Sequence, residues 1–368
     1  GDIIHPARGG LPGDGDSGHN LLARWTRTAS ENSSLQVQAY YDYYERDFIL
    51  VRDSLQTFDL EAQYNRRAGA HDIVIGGGVR TQRDEFTNNL NAFRLDPPSR
   101  RLWTYNLFAQ DRIALTPELA LILGLKAEQT SFTGLELLPN LRIAWQVGTE
   151  TLLWAAVSRA VRTPSRIDRQ LANLPLLAPA NDFESEKLIA FEAGYRGQPV
   201  SWANLSVSIF FNRYDDIRTT EFTGNPLPIQ LRNGLQGHSY GFEAWSSSQL
   251  TPWWRLNLGI ATLWKDFEVE AGRGDVPAGD WLGDDPEFQF LARSRMDLTD
   301  RLSLNLGLRW IGEIEAAPGI GDYVEADGRL VAAIAPSTGE AIPDPFLPTA
   351  DVVALLQLRA GGARAPRG

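Results

Sequence analysis

Between Trp254 and Trp264 the chain alternates. Trp254, Leu256, Leu258, Ile260, Thr262 and Trp264 interleave with Arg255, Asn257, Gly259 and Ala261. The pattern recurs in Leu302, Leu304, Leu306, Leu308 and Trp310, set between Ser303, Asn305, Gly307 and Arg309. It recurs again along 204–212 and 35–43. A period of two sends successive side chains to opposite faces, so these segments predict strands with one apolar and one polar face.

About fifteen such strands are expected, near 19–29, 34–45, 51–66, 71–84, 101–115, 119–132, 136–147, 151–160, 186–197, 202–214, 229–249, 253–267, 287–298, 301–312 and 350–359. Their connections alternate between short turns (30–33, 67–70, 116–118, 148–150, 198–201, 250–252, 299–300) and long loops (85–100, 161–185, 215–228, 268–286, 313–349). A β-sandwich has no reason to keep its short turns on one side, whereas a transmembrane barrel has tight turns at one rim and longer loops at the other. Trp254 and Trp264 share a face. At about 3.3 Å per residue and about 45° tilt they lie roughly 23 Å apart along the axis, near the height of an apolar band with an aromatic girdle at each rim. The fold class is therefore all-β, an antiparallel up-and-down transmembrane barrel.

Composition narrows the function. The 368 residues carry a formal net charge of −11, which argues against a nucleic-acid partner, since that affinity rests on neutralising phosphates. The absence of Cys excludes disulfides and thiolate metal sites. No run of 18 apolar residues offers a membrane-crossing helix, and the residues from Gly1 onward do not read as a signal peptide.

Arg159, Arg162, Arg166 and Arg169 have the spacing of one helix face. Pro164 interrupts any helix running through all four. Leu152 to Val157 reads as a strand, so the arginines mark a strand end and the start of a long outer loop.

Several segments then converge. Ser158-Arg-Ala-Val-Arg-Thr-Pro-Ser165 resembles the "SRAFRAPS" segment of TonB-dependent outer-membrane receptors. Phe108-Ala-Gln-Asp111 followed by Leu115-Thr-Pro, Glu186 to Arg196 followed by Leu205 to Ile217, and Asn233-Gly followed by Gly241-Phe-Glu243 resemble further motifs of that family in the same order. The motif residues are Ser158, Arg159, Arg162, Pro164, Glu192, Gly194, Asn212 and Glu243. The resemblance covers 19–359 and implies a barrel of about 22 strands with a plugged lumen. It also implies an outer-membrane location, energised import of a metal chelate such as a ferric siderophore, and coupling to the TonB complex through the plug. The 368 residues themselves are expected to hold neither a plug nor a TonB box. Residues 1–18 are expected to be the remnant of an extracellular loop, 19–359 a partial barrel of about fifteen strands, and 360–368 a Gly/Ala/Arg/Pro tail that would not pair as a strand. Such a portion would leave two open edges and is expected not to fold alone. The alternative is a passive, porin-like channel of about 16 strands.

Catalysis is not expected. Gly15-Asp-Ser-Gly18 matches a short serine-protease signature, but His5, His19, His71 and His238 sit in no partner motif. They also lack zinc-ligand spacing. The acidic loops 266–287 and 313–345 carry eight and seven carboxylates against one Arg each. Solvated outer loops are the simpler reading, with calcium the cofactor such clusters could hold. Arg24, Arg112, Arg142, Arg196, Arg255, Arg293, Arg295 and Arg309 fall in the lumen-facing register. Glu128, Glu192 and Glu243 are candidate lumen partners, and carboxylates of the plug are others. By position alone, Arg162, Arg166, Tyr214 and Trp281 are the ligand-binding candidates at the outer mouth.

Overall fold

The computed structural model describes residues 15–47, 51–88, 93–173, 175–224, 228–275, 285–314, 321–333 and, for the backbone, 353–363. In chain order the elements are β1 (Gly15–Ser30), β2 (Ser33–Asp47), β3 (Val51–Ala68), β4 (His71–Asn88), β5 (Arg94–Leu95), β6 (Ser99–Ala114), β7 (Leu119–Thr130), β8 (Leu135–Val147), β9 (Thr151–Arg162), α1 (Arg166–Gln170), β10 (Leu171–Ala172) and β11 (Leu177–Ala178). They continue as β12 (Glu186–Val200), β13 (Ala203–Phe222), β14 (Ile229–Thr251), β15 (Trp254–Thr262), β16 (Trp264–Val269), β17 (Phe288–Thr299), β18 (Leu302–Ile311), β19 (Tyr323–Ala333) and β20 (Val353–Ala363).

Every long strand pairs antiparallel with the next long strand, from β1–β2 to β19–β20. The sheet is not closed. Among the described residues, β1 has β2 as its only ladder and β20 has β19. All fifteen expected strands form, with three changes. The strand expected over 253–267 is broken at Leu263 into β15 and β16. The segment expected as a long loop over 313–349 contains β19, a further strand whose Leu330 opposes Leu304 and whose Arg329 opposes Asn305. The ends also shift: β1 starts at Gly15, so the protease-like tetrapeptide lies in a strand, and β20 runs to Ala363, pairing four residues of the expected tail with β19. Backbone pairing does not need a bulky side chain, so a Gly/Ala run can extend a ladder that β19 already offers.

The alternation of turns and loops is also looser than expected. β3 begins only four residues after β2 ends, and 131–134 make a short turn from β7 to β8, both on the long-loop rim. At 131–134 the turn is closed by Thr130, whose Oγ1 accepts from the Phe132 and Thr133 amides at 3.1 Å each.

Register sorts the side chains cleanly. On β6, Trp103, Tyr105 and Leu107 share one face and Thr104, Asn106 and Phe108 the other, and the ladders carry this division across the sheet. The apolar face is bare: Leu107 is 70% exposed, Ile209 56% and Ile75 51%. A protein in water does not leave such a continuous face open, so the face is built for lipid. On the polar face, aromatic rings lie flat in glycine gaps. A Cβ on Gly194 would meet the Trp154 indole at 2.5 Å, and one on Gly259 would meet Trp245 at 2.3 Å. Glycine is required there because the ring of the neighbouring strand occupies the side-chain space.

Candidate functional site

All eight lumen-register arginines fall on the polar face. Arg24 opposes Gln38, Arg112 opposes Asp72, Arg142 opposes Ala156, Arg196 opposes Ser206, Arg255 opposes Arg295, Arg293 opposes Gly307, and Arg309 opposes Glu325. Glu192 and Glu243 share that face, opposite Phe210 and Ser208. Arg112, Arg196, Arg293, Glu192 and Glu243 have no ion pair among the described residues, so the wall presents unmatched charges of both signs. Glu128 is matched by Lys126, 2.5 Å away.

At the outer rim the charges are matched tightly. Arg162, the last residue of β9, donates Nε and Nη2 to Glu186 at 2.6 and 2.8 Å and Nη1 to Asp168 at 2.9 Å. Arg218 Nη1 lies 3.6 Å from the same Asp168, and the Arg218 amide donates to Glu186 at 3.1 Å. Four charged side chains thus tie the ends of β9, β12 and β13 to α1.

Asp168 also completes a capping box. It accepts from the Ser165 amide at 2.8 Å, and its own amide donates to Ser165 Oγ at 3.2 Å. Ser165-Arg-Ile-Asp168 is the sequence signal for this cap, and it sits just behind Pro164, where only the breaking of a longer helix was expected. Burial favours the neutral acid, but the Arg162 and Ser165 hydrogen bonds outweigh it and hold the Asp168 carboxyl below the usual carboxylate range.

From this knot the segment 163–185 runs along the rim as a strap. Arg166 is 6% exposed and donates to Asp84 at 2.6 Å, to Gln170 at 2.8 Å and to the Pro97 carbonyl. Arg169 donates to the Phe183 carbonyl at 2.7 Å and sits over the Phe132 ring, which Arg100 also covers. Burial pulls the Arg169 guanidinium down from its ordinary value. β10 pairs with β5, and β11 pairs in parallel with β14. The strap therefore fastens β4 and β5 on one side to β14 on the other. Phe183, fully buried, and Ala172, 1% exposed, form its core.

The four mouth candidates consequently separate. Arg162 and Arg166 are committed to carboxylates of the chain itself. Tyr214 stands on the polar face beside Phe267, ring centroids 5.5 Å apart, with its hydroxyl 3.4 Å from Ser239 Oγ. Asn212 donates to that same Ser239 at 3.2 Å. Trp281 lies outside the described residues. Arg159 donates to Glu136 at 2.9 Å and to the Leu137 carbonyl, so it too braces the rim. Ser158 lies opposite Asn140 and Ala190, on the polar face below that rim.

Of the acidic loops, Asp285 pairs with Lys265 at 2.6 Å, Asp275 accepts from the Thr220 amide at 2.9 Å, and Asp266 lies 3.8 Å from His238 Nε2. Among the described residues no three metal-ligating side chains converge. Residues 276–284, 315–320 and 334–345 of those loops lie outside the described residues. Ser17 pairs in register with Glu45, and the His19 ring lies tilted against Tyr43, centroids 5.2 Å apart.

Solved structures share this wall. The chain superposes on the siderophore receptor PirA of Pseudomonas aeruginosa with a TM-score of 0.64 at 16% identity, covering 87% of this chain and 57% of that one. The ferric enterobactin receptor PfeA of Pseudomonas aeruginosa gives 0.64 at 15% identity, over 86% and 55%. The copper transporter OprC gives 0.69 at 13%, over 88% and 58%. The chain thus spans under two thirds of the length of these three proteins, and at such identities the likeness concerns the fold. No curated protein matches the sequence. Residues 6–330 match the family described as TonB dependent receptor-like, beta-barrel, and the chain belongs to that family.

Proposed function

We propose that the receptor carrying this barrel sits in an outer membrane and imports a small metal chelate, a ferric siderophore before others. Capture would occur at the outer mouth, with Tyr214 and Trp281 as contacts. Uptake would be energised by the TonB complex through a plug seated against the polar face. No covalent chemistry is part of this reading.

The observation that carries it is the polar wall. It offers Arg112, Arg196, Arg293, Glu192 and Glu243, without ion pairs among the described residues, which suit a folded domain of mixed charge rather than bulk water alone. The solved neighbours include siderophore receptors and a copper transporter, which supports a chelate without naming it.

A passive channel is the second reading. Counting β15 and β16 as one, sixteen long strands are described, a porin-like number. The match of residues 6–330 to the TonB dependent receptor-like barrel family weighs against it.

Uptake of radiolabelled ferric siderophores by cells expressing the complete receptor, with and without a functional TonB complex, tests the proposal. TonB-dependent uptake is expected. Ion conductance of the complete receptor with no need for TonB would overturn it in favour of the channel.

A further inference from the structure

The apolar face of β3, β4 and β6 changes character in ordered rows. Nearest the outer rim, Gln56, Arg83 and Arg101 stand directly opposite one another. The next row is Phe58, Thr81 and Trp103, and the next Leu60, Val79 and Tyr105. Trp103 and Tyr105 stack at 5.9 Å with their planes 2° apart. A stacked Trp–Tyr pair between polar and apolar rows marks the headgroup level of a bilayer.

Two features of this patch need an occupant. Arg83 and Arg101 are like charges placed directly across a ladder, with about 5 Å between Cβ atoms, an arrangement that costs stability unless an anion answers it. Glu85 lies 3.1 Å from Arg83, and Arg101 has no acidic partner among the described residues. One row inward, the Thr81 hydroxyl is buried without a hydrogen-bond partner. Just below, the small residues Ala62, Gly77 and Ala127 leave a groove of about 500 Å³ walled by Leu60, Tyr105 and Leu107. The groove is apolar and opens onto the same face.

We infer that this patch is a binding site for one phosphorylated lipid. Its phosphate is held by Arg83 and Arg101, with Gln56 and Thr81 as neutral donors, and one acyl chain lies in the groove over Ala62, Gly77 and Ala127. Two guanidinium forks match phosphate oxygens, and a zwitterionic headgroup would bring its own cation against them. The inference rests on the reading of the apolar face as lipid-facing, and it is independent of what the receptor imports.

Native mass spectrometry of the complete receptor, released from detergent with added lipids, tests it. Dioleoyl phosphatidic acid is expected to remain bound at one copy per chain, and dioleoyl phosphatidylcholine to be lost. R83Q/R101Q should weaken phosphatidic acid retention at least tenfold. Ala127→Leu, which fills the groove and leaves the arginines in place, should weaken it several-fold. Inorganic phosphate at millimolar concentration should not displace the lipid. Equal retention of the two lipids, or of phosphatidic acid by wild type and R83Q/R101Q, would overturn the site. Displacement by inorganic phosphate alone would overturn the acyl groove. If the receptor also failed to incorporate into phosphatidylcholine bilayers, the barrel reading itself would fall. Normal incorporation with no phosphatidic acid preference removes the lipid site only.

Discussion

The strap at the outer rim and the strand wall beneath it are held by different physics. In the strap, Phe183 is fully buried, and Asp168 and Ser185 are each 2% exposed. Its residues bury one another as in a small water-soluble core. In the wall, apolar side chains such as Leu107 stand 70% exposed. There the backbone ladders hold the strands together, and lipid must supply the apolar contacts. The strap should therefore fail by loss of packing or charge pairing, and the wall by loss of its apolar coat.

The largest break in this contrast is Phe183→Ala. Removing a fully buried aromatic typically costs about 3–5 kcal/mol. The strap is expected to open, with rapid proteolysis within 163–185, while the wall keeps its heat-modifiable gel mobility in the complete receptor. Joint loss of both would show that strap and wall form one cooperative unit.

Next is Asp168→Ala, which removes the capping carboxylate of α1 and one of the two carboxylates that Arg162 binds, leaving Glu186 in place. Loss of the cap costs about 1 kcal/mol and loss of a charge-assisted hydrogen bond about 1.5, so about 2–3 kcal/mol is expected, since Arg162 keeps Glu186. Hydrogen exchange should rise in α1 and at the start of β12 and stay unchanged in β6 and β7. Protection that stays high in α1 would place the anchor of the strap at Arg166–Asp84 instead.

Leu107→Arg probes the wall. In water an exposed Leu would tolerate the change. Facing lipid near the aromatic row, it should cost about 2 kcal/mol and lower the yield of folded barrel in bilayers, without exposing the strap to protease. Neutral behaviour would argue against a lipid-facing surface.

The wall was legible in sequence because its rule is local: a period of two, read along each strand, separates lipid from lumen. That reading placed eight arginines on the polar face. β19 escaped although Glu325, Asp327 and Arg329 alternate with Val324, Ala326, Gly328 and Leu330, because two of its lipid-side positions, Ala326 and Gly328, are too small to give a strong apolar signal. The strap was illegible for a different reason. Its contacts join residues such as Arg166 and Asp84, 82 positions apart, and no periodicity reports on them. Even so, the Ser165–Asp168 spacing carried a capping signal that Pro164 overshadowed. Arg162 and Arg166 looked like free cations at a mouth because Glu186 and Asp84 come from other strands and Asp168 from the helix behind Pro164.

The smallest effect separates strap and wall by pH. The folded Asp168 carboxyl sits below its unfolded value, which is about 3.9 for an ordinary Asp. The folded state therefore binds this proton less readily than the unfolded state. Its contribution is fully present above pH of about 4 to 5, and it is lost as pH falls through the depressed folded value. Acid should loosen the strap while the wall, which relies on ladders and apolar contacts, holds. Pepsin digestion of the complete receptor across pH 2 to 5 is expected to cut within 163–185 increasingly toward the acid end. In Asp168→Asn, which has no carboxylate to protonate, the cutting should be high and less dependent on pH. An unchanged pH profile in that variant would overturn Asp168 as the acid-sensitive group of the strap.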